Sequence, residues 1–347
     1  MTASIQQRAR YLRAGEIQVS DGPRTGPEIG EVQVRVAFAG ICGTDLHLFH
    51  GQMGSRLPEV AIFGHEMSGT IASIGEGVTG WSIGQPVTVM PLQWDGTCPA
   101  CLAGNQHICQ NLDFMGIDSA GALQEYWNVP AEVLVALPPE LSLRHGALVE
   151  PVAVAVHDVR RAQIAVGDRT VVIGGGPIGV LIALVARNAG AEVVLVEPDG
   201  SRRAIATGLG IRTLDPRAVD QVAWVEDWTG GAGADAVFEV SGSAAALLGA
   251  TSLLRVRGRL VVVAIHSTPR EVDLFRVFWR ELQILGARVY ERTDFEAAAD
   301  LLAAGAIPAD ALITDTLPLP RLADALATLE SGGAMKILIA VERSDDA

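Results

Sequence analysis

The sequence predicts an α/β protein with a small N-terminal β-barrel part and a doubly wound parallel sheet behind it. Three observations carry the prediction. Up to about residue 140 the chain reads as short β segments broken by glycine and proline. After about residue 150 strands alternate with helices, the pattern of βαβ units. The first of those strands ends in a glycine-rich turn that opens a helix.

Element by element, Glu31–Ala37, Gly69–Ile74 and Pro86–Met90 are short β segments bounded by turn residues, the pattern of a small barrel or sandwich with long loops. Thr170–Ile173 is a buried strand, Ile178–Asn188 a helix, Glu192–Val196 the next strand and Ser201–Leu209 the next helix. Ala234–Val240, a helix over Ala244–Leu254 and Arg259–Ile265 continue the alternation. The tail changes character again: Asp294 is placed to cap a helix Phe295–Ala304, and a helix Ala323–Leu329 precedes a strand Lys336–Val341.

Composition narrows the function. The chain has 347 residues, 49% of them apolar, enough for two ordinary cores. Mean hydropathy is +0.30, which argues against disorder. With 26 basic and 40 acidic side chains the net charge is −14, so no nucleic-acid partner is expected. Lys336 is the single lysine, and the other 25 basic residues are arginine. A phosphate-binding P-loop needs a Gly-Lys-Ser/Thr run, which Lys336-Ile337 cannot supply. Schiff-base chemistry is likewise restricted to Lys336. A catalytic Tyr–Lys pair four residues apart is absent: Tyr11, Tyr126 and Tyr290 are followed at that offset by Gly15, Pro130 and Asp294.

No secretory signal stands out at the amino terminus, and the longest uncharged run, Thr170–Ala186, is short for a membrane span. A cytoplasmic protein with no membrane partner is expected. In a reducing compartment Cys42, Cys98, Cys101 and Cys109 point to metal binding or catalysis rather than disulfides.

Gly174-Gly175-Gly176-Pro177-Ile178-Gly179 satisfies G-x-G-x-x-G between a strand and a helix. Gly174 permits the tight turn, Gly176 lets backbone approach a pyrophosphate, and Gly179 allows close helix–strand packing, with Pro177 and Ile178 opening the helix. Glu197 ends the next strand, where a carboxylate can accept from ribose hydroxyls and repel a 2′-phosphate. That favours NAD over NADP, although Arg202 and Arg203 follow and are able to bind a 2′-phosphate.

Three further stretches carry metal-ligand chemistry: Cys42-Gly43-Thr44-Asp45-Leu46-His47, Gly64-His65-Glu66 with Gly69, Gly75 and Val78, and Leu148-Val149-Glu150-Pro151. On these residues the chain resembles the zinc-dependent medium-chain dehydrogenase/reductase family, its polyol, butanediol and threonine dehydrogenase branch in particular. The pattern G-H-E-x2-G-x5-G-x2-V fits residues 64–78 at every fixed position. The resemblance implies a GroES-like catalytic domain over 1–150, completed by 294–347, and a Rossmann NAD(P)-binding domain over 151–293. It also implies that Cys42 and His65 bind a catalytic zinc, with Glu66 and Glu150 binding directly or through water. Thiolate, imidazole and carboxylate are all zinc ligands. Because neighbours in a strand face opposite ways, His65 and Glu66 reach one metal only across a turn, so Glu66 or Glu150 is expected to exchange with water or substrate. Asp45 resembles the carboxylate that holds the zinc-bound histidine in its tautomer.

Asp95, Cys98, Cys101 and Cys109 match the spacing of the family's structural zinc lobe, C-x2-C-x2-C-x7-C, with aspartate in the first position. Zinc accepts carboxylate oxygen, so a site of one aspartate and three cysteines is expected to be occupied.

The implied reaction interconverts a secondary alcohol, polyol or amino alcohol and its ketone. Thr44 would take the hydroxyl proton and His47 pass it to solvent, the competing reading of His47 being a surface loop histidine, since His50 stands close by. His157 reads as structural, and His107 and His266 have no assignment. Two other readings stay open: an NADP-dependent carbonyl reductase on the same scaffold, and a nucleotide-binding protein without chemistry. The family also implies a homodimer or homotetramer. The substrate pocket is expected around residues 45–58, 110–120 and 266–290.

Overall fold

The structure, a computed structural model, describes residues 4–53, 56, 61–332 and 334–342. Its chain forms two compact units: Met1–Glu150 with Glu291–Ala347, and Pro151–Tyr290. The tail expected to return at residue 294 does so at Glu291.

The first unit is built on a seven-stranded sheet. Glu31–Ile41 lies at its middle, flanked by Glu66–Ile74, by Tyr126–Pro130 and by the terminal strand Lys336–Ala340. Glu31–Ile41 is the longest strand among the described residues, with Val32, Val34, Val36 and Ala39 fully buried and Arg35 exposed. Lys336–Ala340 pairs antiparallel with it, Ile337 opposite Ile41, and parallel with Ile313–Pro318. The C-terminal tail is thereby part of the N-terminal sheet.

A hairpin of Ile5–Arg13 and Glu16–Pro23 also belongs to this unit. Its sequence is mostly polar because only Gln6, Ala9 and Tyr11 of the first strand are buried. Helix Arg292–Ala303 starts earlier than the sequence suggested. Glu291 is its N-cap, and Asp294 sits at the third helical position, accepting from the Glu291 amide at 2.9 Å in a capping box.

The second unit carries a six-stranded parallel sheet in the order Arg212–Leu214, Glu192–Val196, Arg169–Ile173, Ala234–Glu239, Leu254–Val262, Gln283–Gly286. Helices cross between the strands, and the order reverses between Arg169–Ile173 and Ala234–Glu239, where doubly wound sheets bind their ligands. Val171, Val194, Val237 and Leu260 have no exposed surface and form the core with Leu247 and Leu253. Helix Pro177–Asn188 starts with proline in its first turn and is buried continuously from Gly179 to Ala186.

Boundaries around residue 254 differ from the sequence reading. The helix expected over Ala244–Leu254 stops at Ala250, a 3-10 turn covers Thr251–Leu253, and Leu254 already begins a strand that ends at Val262 rather than Ile265. The apolar run Leu253-Leu254 is buried in either conformation, so periodicity gives no boundary there. Among the described residues no helix is long and apolar enough to cross a membrane.

Candidate metal centre and dinucleotide site

In the first unit, Glu31–Ile41 delivers Cys42 to the N-cap of the short helix Gly43–Phe49. Glu66 opens the neighbouring strand Glu66–Ile74, and Ile62–His65 before it is irregular. Gly64 has φ +95°, a left-handed conformation open to glycine, and the turn there brings His65 to the same side as Glu66. One ligand atom each from Cys42, His65 and Glu66 lies within 4.8 Å of the others. Glu150, in the first turn of helix Val149–Arg161, is buried and outside that trio, but its charge is felt at His65.

The local field calls for a cation. Burial disfavours a charged His65, yet a hydrogen bond with Cys42 and the charges of Asp45, Cys42 and Glu150 push its pKa up to about 10. Asp45 is fully buried, and its pKa is raised by that burial, against the opposing pull of His65. His65 Nδ1 and Asp45 Oδ1 face each other at 3.8 Å, and neither has a hydrogen-bond partner. Thiolate, imidazole and carboxylate donors, with a second carboxylate behind the imidazole, fit a zinc ion.

Thr44 and His47 ride on the same short helix, Thr44 half-buried and His47 exposed. His47 Nδ1 lies 2.5 Å from Gln52 Oε1, while His50 is paired with Glu330 at 2.9 Å. The expected pocket loop 45–58 falls partly outside the described residues, at 54, 55, 57 and 58.

The second cluster is a separate lobe. Ligand atoms of Asp95, Cys98, Cys101 and Cys109 lie within 4.8 Å of one another, and the three thiols are buried together. All are free cysteines. Asp95 Oδ1 accepts the amides of Thr97 and Cys98 at 2.8 and 2.9 Å, and Oδ2 accepts from Asn111 at 2.6 Å. The same kind of amide donation reaches sulfur elsewhere in the lobe: Cys98 Sγ accepts from Cys101 and Gln110, and Cys109 Sγ from Asp95 and Asn111. Asp95 thus takes the turn-closing part a thiolate would take, and these donors, the Cys98 amide foremost, hold its carboxyl well below the usual carboxylate range. The Gln110 amide lowers the Cys98 pKa, while burial and the neighbouring thiols push Cys101 up to about 12.

In the second unit the glycine loop joins Arg169–Ile173 to helix Pro177–Asn188, with Gly176 as N-cap and Pro177 and Ile178 as the first helical residues. Any Cβ on Gly179 would collide with the Gly174 carbonyl. Glu197 leans over the loop: Oε2 accepts the Gly175 amide at 2.6 Å and Oε1 the Asp199 amide at 2.8 Å. A Cβ on Gly175 would press on Glu197 Cγ at 2.8 Å. Arg203 is committed elsewhere, to the carbonyls of Glu197 and Pro198 at 2.7 Å each and to Asp215 at 3.0 Å. Arg202 donates its backbone amide to Asp199 at 2.9 Å.

Two residues escaped the sequence reading. Glu239, fully buried at the end of its strand, takes Ser241 N, Ser241 Oγ and Gly242 N on one oxygen and His266 Nε2, at 3.0 Å, on the other. It ties two loops at the carboxyl edge of the sheet, beside a cavity of about 370 Å3 lined by Leu247, His266 and Ser267–Arg270. No motif marks it. Lys336 is the other: buried on the terminal strand, it meets both Glu66 oxygens, at 2.7 and 2.6 Å. Its being the chain's single lysine was the available signal.

The chain is similar to known proteins over most of its length. Residues 28–139 match the alcohol dehydrogenase GroES-like domain and residues 177–304 the zinc-binding dehydrogenase family. The chain is 48% identical, over 95% of its length and 97% of the relative's, to 2-dehydro-3-deoxy-L-galactonate 5-dehydrogenase of Pseudoalteromonas atlantica. Among solved structures it is similar to 2R,3R-butanediol dehydrogenase of Bacillus subtilis, with a TM-score of 0.90 at 31% identity, covering 97% of this chain and 99% of that one. A zinc-binding dehydrogenase of Sinorhizobium meliloti bound to NADP gives the same TM-score of 0.90 at 32% identity and the same coverage, 97% and 99%.

Proposed function

Because the chain belongs to the zinc-binding alcohol dehydrogenase family, an oxidoreductase lineage acting on CH–OH groups, we propose that it oxidises a secondary hydroxyl of a sugar acid, with NAD as hydride acceptor. The observation that carries the reading is the convergence of Cys42, His65 and Glu66 on one point beside buried Asp45. Cys42 and His65 are the fixed zinc ligands in this reading, and Glu66 and Glu150 the carboxylates that share a remaining position with water or substrate. Zinc, when bound there, supplies a positive charge that acidifies a coordinated hydroxyl. Asp45 steadies His65 through Nδ1, so the opposite ring nitrogen faces the metal. The Thr44 hydroxyl receives the substrate proton and His47, exposed at the end of the same helix, releases it to solvent. A dinucleotide held at the Gly174–Gly179 loop would supply the hydride-accepting chemistry.

The same reading assigns a second, structural zinc to Asp95, Cys98, Cys101 and Cys109. In the nucleotide site Gly174, Gly176, Pro177, Ile178 and Gly179 cradle the pyrophosphate at a helix N-terminus. Glu197 stands where the adenosine ribose hydroxyls would lie, and a 2′-phosphate would meet its charge. Arg203 and Arg217 are both already paired with Asp215, which leaves Arg202 for such a phosphate and favours NAD. Sugar acids are suggested by the 48%-identical relative, whose name places oxidation at carbon 5 of a six-carbon acid.

The chain is also proposed to work as a homo-oligomer in the cytoplasm, its four thiols free. Helix Leu274–Arg280 exposes Leu274, Phe275, Phe278 and Trp279 at 69–76%. Next to it in sequence runs Gln283–Gly286, an uncharged strand at the sheet's edge. An open edge beside exposed aromatics suits pairing with a second copy about a two-fold axis.

Absorbance at 340 nm tests the function. Purified zinc-loaded protein with NAD is expected to turn over five- and six-carbon sugar acids, with kcat/KM at least about 10-fold above that for the matching neutral polyols. No turnover of any sugar acid, polyol or diol, despite bound zinc, would remove the assignment.

A further inference from the structure

Lys336 is the point at which the chain departs from its own habits. It uses arginine 25 times and lysine once, and that lysine is buried inside the sheet rather than on the surface. An ammonium has three N–H donors. Lys336 Nζ reaches Glu66 Oε1 at 2.7 Å, Glu66 Oε2 at 2.6 Å and the Ile41 carbonyl, one residue before Cys42, at 3.3 Å. Side-chain exposure is 5% for Lys336 and 1% for Glu66, so solvent does not compete for the pair.

The surroundings are shaped for this contact. A Cβ on Gly40 would overlap Glu66 Oε2, so glycine at that strand position leaves the carboxylate its room. Ile337 is locked opposite Ile41, which fixes the lysine at the end of the antiparallel register. The carboxylate thus has the Lys336 ammonium against both its oxygens and the Cys42 and His65 ligand atoms within 4.8 Å.

We propose that Lys336 is a positioning residue that holds the Glu66 carboxylate when it leaves the metal, so that a neutral ligand can take its place without stranding a buried charge. The inference rests on the zinc reading above. An unpaired buried carboxylate is strongly disfavoured. Without the lysine, Glu66 would stay on the metal and exclude other ligands.

Cobalt-loaded protein tests this, with imidazole as the probe and the visible absorption of cobalt as the readout. The Asp95–cysteine lobe, with four protein ligands, contributes a constant background. The parent protein is expected to change spectrum on imidazole addition. Lys336→Met is expected to take up cobalt at the Cys42–His65 site yet bind imidazole at least about 10-fold more weakly. Glu66→Gln and the double variant Glu66→Gln/Lys336→Met are expected to bind imidazole equally, because a neutral side chain needs no ammonium. That second comparison stands even if Lys336→Met alone does not fold. Unchanged imidazole affinity in Lys336→Met, or a further loss when Lys336 is replaced in the Glu66→Gln background, would overturn the proposal. Failure of the parent protein to take up cobalt in a Cys42-dependent way would sink the metal site itself, and is distinguished from both by metal analysis.

Discussion

Cys98 Sγ and Cys109 Sγ stand 3.8 Å apart, far beyond a disulfide and equal to the spacing of two thiolates on a tetrahedral ion with bonds of about 2.3 Å. Metal analysis of the purified protein is accordingly expected to find about two zinc per chain. Asp95→Ala should retain about one, keep dehydrogenase activity and melt at a lower temperature. Two zinc retained in Asp95→Ala would take the carboxylate out of the ligand set.

Cys42→Ala is expected to lose the other equivalent and all alcohol oxidation, while circular dichroism stays that of the parent. Asp45→Asn should keep the fold and weaken catalytic zinc by about 10- to 100-fold in a chelator competition, because His65 loses the carboxylate 3.8 Å from its Nδ1. Equal zinc affinity would show that Asp45 serves only as the helix-start partner of the Cys42 amide, which it accepts at 2.8 Å.

Glu197→Ala is expected to reduce kcat/KM for NAD by about 10- to 100-fold, the range for hydrogen bonds to a charged group, and to reduce that for NADP less. The variant also frees the Gly175 and Asp199 amides, so some loss with both cofactors is expected. An unchanged ratio between the two cofactors would remove Glu197 from ribose recognition.

What the sequence showed and what it hid follow from the range of the interactions. The glycine turn, the Cys98–Cys101 spacing and Gly64-His65-Glu66 are local, and local chemistry is written in order along the chain. The N-terminal hairpin is hidden because most of its arginines and glutamines stay partly or fully exposed and one glutamine, Gln6, is buried, leaving no apolar alternation to read. Glu66 and Lys336 are 270 positions apart, and the pairing of both Glu66–Ile74 and Lys336–Ala340 with Glu31–Ile41 brings them together. Arg202 and Arg203 look interchangeable in sequence, yet only the structure shows Arg203 spent on Asp215 and two carbonyls.

Trp279→Glu, alone or with Phe278→Asp, is expected to shift the protein to a smaller species in sedimentation velocity without changing its circular dichroism. Phe275 and Trp279 stack at 5.8 Å on an open helix face, and a carboxylate there cannot be buried against a second copy. An unaltered sedimentation coefficient would place the contact elsewhere.

A chain with one internal amine, sealed between strands, also carries its own label site. Lys336, the chain's one lysine, is buried and hydrogen-bonded to Glu66, so its amine becomes modifiable when the strands around it separate. The rate of that single modification then measures how often the first unit opens, residue-specifically and without any introduced probe.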